Sequence, residues 1–357
     1  MTHIVVDVAL QEAKAVVRTF YDALDSAAPE QIEAVLSKYT TSDWLWRGMH
    51  PFYEQTGAGA VADVFWKPVR AAFSPLQRRA DVFFAGYNVV GETAESADAD
   101  IWVMQMGQLL GLFDAPWLGI PPTGRMCFLR YAEFNRVDVN GLITESSMFV
   151  DIPSVMQQAG HDPFPPQTGS SHLIPGPLTH DGLLGAGSHA ADGEKTMALV
   201  HTMVEDLNRA NQVAADTGVN DIPYEVMAKT WAANMIWSGP AGIGSAYTIE
   251  RYQQQHSYPF RFNLADKKFN GHVARFAEGN YACFFGWANL TNRPTGGFLG
   301  MPASIPADMR VADVYRRSGD KLAENWVFID LLHWLSMQGL DVLARLRQLT
   351  GQEKLGT

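Results

Sequence analysis

The chain has 357 residues, 47% of them hydrophobic, enough apolar surface for two ordinary cores. Its 27 basic residues against 38 acidic ones leave a formal charge of −11, which repels phosphate backbones and anionic headgroups and argues against nucleic acid or membrane partners. Two cysteines, Cys127 and Cys283, exclude a disulfide framework and a multi-cysteine zinc module, while an aromatic content of 11% points to large apolar pockets.

The opening MTHIVVDVALQEAKAVVRTF carries acidic residues early and has no basic start ahead of an uninterrupted apolar stretch. It predicts neither a signal peptide nor a membrane span, and a cytoplasmic location is the expectation. Val8, Ala15, Val16, Phe20 and Leu24 recur at helical spacing and predict a helix over 7–26; Ile32, Val35 and Leu36 predict a second over 30–40. A tryptophan segment, Trp44-Leu45-Trp46-Arg47-Gly48, is read as following the end of that helix, with another short helix after it. Strands are predicted over 79–89, 100–108, 125–137 and 142–150, and a short helix over 153–159 stops at Gly160. Residues 162–193 are dense in Pro, Gly, Ser and His without periodicity and read as a linker strapped across the surface. The order then starts again, with helices over 194–215 and 223–233, the segment Met235-Ile236-Trp237-Ser238-Gly239, and a closing helix over 331–338 stopped by Gly339.

The two runs read as copies of one domain. Leu118-Gly119-Ile120-Pro121 answers Leu299-Gly300-Met301-Pro302. Glu145 and Glu324, Asp151 and Asp330, and Gly160 and Gly339 are each 179 residues apart, so no gap is needed between them. Glu133 pairs with Asp313 if the first copy has one extra residue in its turn. Helices followed by a long antiparallel meander describe an α+β cone, a curved sheet wrapped around N-terminal helices with a pocket at its open end. The expected domains are 1–161 and 194–357, joined by the 162–193 linker.

This order resembles the nuclear transport factor 2-like (NTF2-like) superfamily, and within it the SnoaL-like polyketide cyclases. The resemblance rests on Asp313, Gly319, Lys321, Leu322, Glu324, Trp326, Asp330, Gln338 and Gly339 in the second copy. The first copy keeps Glu133, Gly141, Glu145, Asp151 and Gly160, with Ser147 in place of the tryptophan. It implies an aldol-type ring closure in polyketide metabolism, with no metal and no organic cofactor: a carboxylate in an apolar pocket takes a proton next to a carbonyl. It also implies pairing of the two domains through the outer faces of their sheets, and leaves room for a further homodimer. The family's catalytic acid falls immediately after the tryptophan, which here is Val327 in the second copy and Met148 in the first, neither able to transfer a proton.

The remaining candidates for acid/base work are Glu133 and Asp313. Leu129, Tyr131 and Glu133 share one strand face by period two, as do Val311, Asp313 and Tyr315. A carboxylate there either faces a pocket or is a structural acid paired with an arginine or a backbone donor. Trp44, Trp46, Asn234, Trp237 and Trp287 are candidate pocket walls, Tyr131 and Tyr315 flank the acids, and Asn325 is placed to bond a ligand carbonyl; core packing explains the tryptophans equally. The Gly57-Ala58-Gly59 and Gly185-Ala186-Gly187 runs lack the strand, turn and helix of a nucleotide site. His172, His180, Asp181 and His189 match no metal-ligand spacing. Three functions stay open: a cofactor-free cyclase, isomerase or dehydratase acting on an apolar carbonyl compound; a non-catalytic binder of a hydrophobic small molecule; and a scaffold with filled pockets.

Overall fold

The computed structural model describes residues 7–90, 100–167, 169–170, 174–185, 190–218 and 222–351. The first half opens with α1 (Val8–Ser26), whose N-terminus is capped by the Asp7 side chain accepting from the Leu10 amide at 3.2 Å. Leu10, Val17, Phe20 and Leu24 form its buried stripe. After α2 (Ile32–Tyr39) come β1 (Thr40–Gly48) and β2 (Tyr53–Thr56), then a helical stretch built from α3 (Ala58–Val61), a π turn over Ala62–Trp66 and α4 (Lys67–Ala72). The strands β3 (Phe73–Tyr87), β4 (Ile101–Phe113), β5 (Met126–Val137) and β6 (Ile143–Val150) lead to α5 (Ile152–Gln158).

The second half repeats this order. It runs α6 (Ala190–Thr217), α7 (Tyr224–Met227), β7 (Trp231–Ser238), β8 (Ser245–Tyr247), α8 (Ile249–Tyr252), α9 (Tyr258–Phe262), β9 (Leu264–Phe269), β10 (Ala274–Glu278), β11 (Tyr281–Pro294), β12 (Ala307–Ser318), β13 (Lys321–Ile329) and α10 (Leu331–Met337), with α11 (Val342–Leu349) added at the end. The sheets match strand for strand: β2-β1-β6-β5-β4-β3 in one, β8-β7-β13-β12-β11-β10 in the other, with β9 also on β11. The fold is two tandem α+β cones, each sheet curving around its own helices.

One expectation is corrected. The tryptophan segments follow helices, as read, but they are themselves strands, β1 and β7, which the predicted order did not include, lying parallel to β6 and β13. The predicted helix over 223–233 stops after Met227, and the chain is extended from Trp231. Alternation is the physical reason: Trp44, Trp46 and Gly48 are buried while Leu45 and Arg47 are less so, the period of a strand with one face on a core. The glycine two residues after each tryptophan has a packing role. A Cβ on Gly48 would overlap the Trp46 ring, and one on Gly239 would overlap the Trp237 ring. Gly48→Ala is therefore expected to cost about 1–3 kcal/mol through overpacking, read as a lower urea midpoint.

The outer faces of the sheets lie against each other in an aromatic seam. Phe285 meets Phe134 at 4.6 Å between ring centroids and Trp102 at 5.4 Å, and Phe84 meets Phe276 at 5.5 Å. Polar contacts cross the seam in matched pairs. Asp151 caps α5 at the Ser154 amide and takes the Ala241 amide of the other half at 3.0 Å. Asp330 caps α10 at the His333 amide and takes the His50 amide at 2.9 Å. Lys14 on α1 reaches across to Glu278 on β10, 2.6 Å apart and buried.

The segment between the halves is tied down where it is described. Gly182 and Leu184 bond the backbone of Phe83, and the Pro175 carbonyl accepts from the Trp326 indole at 3.0 Å. His180 is exposed, and Asp181 is ion-paired with Arg316 at 3.0 Å. His172, Ala186, Gly187 and His189 lie outside the described residues. Among the described residues no helix is long and apolar enough to cross a membrane.

Candidate functional site

The ladder registers set one row of side chains across the inner face of each sheet. In the first half the row is Phe83, Gln105, Glu133 and Met148, on β3, β4, β5 and β6. In the second it is Arg275, Phe284, Asp313 and Val327, on β10, β11, β12 and β13. Directly opposed residues share a sheet face, so each row is a strip of cone wall. The two candidate acids occupy corresponding places, and their surroundings differ.

Glu133 is held by a cation. The Arg78 guanidinium lies 3.7 Å from its carboxylate and 3.0 Å from Asp25, with its own side chain only 5% exposed. That guanidinium sits over the Tyr21 ring at 4.1 Å, with Trp66 and Tyr131 each at 5.3 Å. The Tyr131 hydroxyl donates to Gln105, which leaves it no free hydrogen. A second chain of bonds fills the same cone: the Trp44 indole donates to Ser146, Ser146 to Asn135, and Asn135 to the Tyr21 hydroxyl. Burial pushes the Glu133 carboxyl up, while the Arg78 charge and a hydrogen bond from Tyr21 pull it back. Trp46 is buried against Phe65 and Phe52. Glu133 is thus surrounded by side chains that bond one another, and acid/base work by it would have to break an ion pair.

Asp313 has no such partner. Among the described residues no cation pairs with it, and its hydrogen bonds come from two neutral donors, the Tyr315 hydroxyl at 3.1 Å and the Asn325 amide at 3.3 Å. Both donate to Oδ1, so Oδ2 accepts no hydrogen bond among the described residues. The side chain keeps part of its surface accessible, although Phe284, Tyr315, Asn325 and Val327 around it are buried. Burial pushes its carboxyl up to about 7, against the hydrogen bonds from Asn325 and Tyr315.

The walls near Asp313 are aromatic. Tyr315 lies 5.6 Å from Phe284 and 6.1 Å from Trp231. Trp237 stacks on His256 at 4.1 Å and meets Tyr252 at 5.6 Å. Burial alone pushes the His256 imidazole down to about 3, so it is neutral. Burial and then the Asp313 charge raise the Tyr252 hydroxyl, which keeps it a donor.

The sequence candidates are not all brought together. Asp313, Tyr315, Asn325 and Trp237 belong to the second cone, and Glu133, Tyr131, Trp44 and Trp46 to the first. Asn234 is exposed on β7 and lines neither. Trp287 sits at the seam between Phe149, at 5.6 Å, and the Arg310 guanidinium, at 4.2 Å. Its strand position follows the shift in register after Gly286, which separates it from the Asp313 row. Arg78, Tyr21 and Tyr252 were not singled out from sequence, because each comes from an element remote in the chain from the carboxylate with which it interacts electrostatically.

No protein-family model matches the chain, and no curated protein matches its sequence. Similar solved structures include a proposed SnoaL-like polyketide cyclase from Jannaschia sp. CCS1, 19% identical, covering 45% of this chain and 97% of its own, with a TM-score of 0.34. An NTF2-like protein from Burkholderia thailandensis E264 is 18% identical over 42% of this chain and 97% of its own, with a TM-score of 0.30. A proposed polyketide cyclase from Streptomyces antibioticus is 18% identical over 42% of this chain and 98% of its own, also with a TM-score of 0.30.

Proposed function

We propose that the second cone is a cofactor-free acid/base site for an apolar carbonyl compound, with Asp313 as the group that moves the proton. The observation that carries this reading is the register: Asp313 stands directly across the ladder from Val327, where the resemblance to SnoaL-like cyclases puts the acid. Facing pairs hold their Cβ atoms about 5 Å apart, so a carboxylate moved one strand over still serves the same point in the cone.

The geometry favours proton transfer. Oδ1 is oriented by Tyr315 and Asn325, and Oδ2 is the oxygen left to take a proton. A carboxyl pushed up to about 7 is divided between its two forms at neutral pH, so it can both remove a proton and return it. Tyr252, kept protonated, is the donor we assign to the developing enolate oxygen. The first half then serves as the fused structural partner, since a covalent link makes sheet pairing independent of concentration.

The test is exchange of the protons beside the carbonyl of 2-tetralone in D₂O, followed by NMR with the full chain. The expected result is protein-dependent exchange that rises with pH through about 7 and levels off above it, because the base must be ionised. Bound 2-tetralone without exchange above buffer would leave a non-catalytic binder in place of the enzyme.

A further inference from the structure

A second feature of the same cone says what kind of carbonyl compound it takes. At the β10 end of the row stands Arg275, facing Phe284 across the ladder. Two histidines lie within reach of its charge. His272 stacks on Phe284 at 4.3 Å between ring centroids, and His201 comes from α6, which packs on β10 and β11. The Arg275 charge acts on both imidazoles, which burial first and that guanidinium second hold below their usual range.

Among the described residues this corner has no paired counter-charge. Among the described residues no carboxylate pairs with Arg275, and its buried Nε has no hydrogen-bond partner. The buried Nε2 of His201 has none either. Glu205, the carboxylate whose charge acts on His201, is exposed and turned to Arg209 at 3.8 Å. Other partly buried arginines are served: Arg78 by Asp25, Arg130 by the carbonyls of Ser238 and Gly239, Arg310 by Asp330, and Arg316 by Asp181. A partly buried guanidinium with an orphaned N–H, whose charge acts on an imidazole with an orphaned nitrogen, calls for an acceptor other than the described residues.

We infer that Arg275, with His201 and His272, forms an anion subsite in the second cone, and that its ligand is an aromatic or alicyclic carbonyl compound carrying a carboxylate. Arg275 and Asp313 are two strands apart, about 10 Å by strand spacing, with the Phe284 ring between them. A carboxylate on Arg275 and a flat apolar body on Phe284 place the far end of the ligand at Asp313. At the corresponding position the first half has Phe83, under Arg18 at 4.8 Å, so the subsite belongs to the second half alone.

This deepens, and rests on, the reading of the second cone as the ligand site, but its test is binding and does not require turnover. Calorimetric titration of the full chain at pH 7.5 compares 2-naphthoate with its neutral analogue 2-acetonaphthone. The naphthoate is expected to bind more tightly, and Arg275→Gln to weaken it about tenfold to a hundredfold while leaving 2-acetonaphthone unchanged. Arg275→Lys, which keeps the charge and loses the fork, is expected to fall between. Asp313→Asn, which removes a carboxylate charge two strands from Arg275, is expected to bind naphthoate at least as well as the wild type, even if it abolishes exchange. Equal affinity for the two probes, no binding of either, or naphthoate affinity untouched by Arg275→Gln would each overturn the subsite. Loss of exchange alone would bear only on Asp313.

Discussion

Asp313→Asn is expected to lower the 2-tetralone exchange rate by about 10²–10⁴-fold with binding retained, the size of effect typical for removal of one positioned acid/base group. Asn keeps the volume and can still accept from Tyr315 and Asn325, so the cone is not remodelled. The same substitution carries a stability signature of opposite sign. In the folded chain the Asp313 carboxyl keeps its proton up to about pH 7, whereas in the unfolded chain it releases it near the ordinary value of about 4. Between those limits the native state binds the extra proton, so the wild type loses stability as pH rises from about 4 to about 7. Asn has nothing to ionise. The variant is expected to melt higher than the wild type at pH 8, with the difference closing as pH falls toward 4. A gain in stability together with a loss of exchange is what a carboxylate held for chemistry gives. Exchange at the wild-type rate in Asp313→Asn would remove the residue from the mechanism.

The duplication was legible because it is written in spacing. Shared offsets between Glu145 and Glu324, Asp151 and Asp330, and Gly160 and Gly339 need no knowledge of packing, and the two aspartates turn out to do one job twice, each capping a helix and bonding the opposite half. The tryptophan segments follow amphipathic helices as read and were not recognised as strands; their own alternation, Trp44 and Trp46 inward with Leu45 between, was the guide to that. The contrast between the two acids was not legible. Glu133 and Asp313 have similar strand neighbours, and what separates them is Arg78 on β3, two strands from Glu133. Nor could the Arg275 corner be read, since its three members come from α6, the β9–β10 connection and β10. Local pattern fixes which face a side chain takes; which charges then meet on that face depends on the closing of the sheet.

The second large effect concerns the first cone. Arg78→Met is expected to destabilise the chain by about 3–5 kcal/mol at pH 8, because Glu133, 1% exposed, would be left as a buried charge without its cation. Asp25 contributes less, since at 34% exposure water can replace the guanidinium. The deficit should shrink at pH 5.5. Burial already raises the Glu133 carboxyl, and without Arg78 it rises further, so protonation relieves the unpaired charge as pH falls. Arg78→Met combined with Glu133→Gln should recover most of the loss, because removing both charges leaves no uncompensated one, while Met retains contact with the Tyr21, Trp66 and Tyr131 rings. Urea midpoints followed by tryptophan fluorescence at the two pH values measure this. If the single and double variants fall equally at both pH values, the ring contacts of Arg78 matter and its charge does not. If the double variant recovers, the Glu133 charge is there to be neutralised, and its conversion into a proton-transfer group is blocked by the arginine that the second cone lacks beside Asp313.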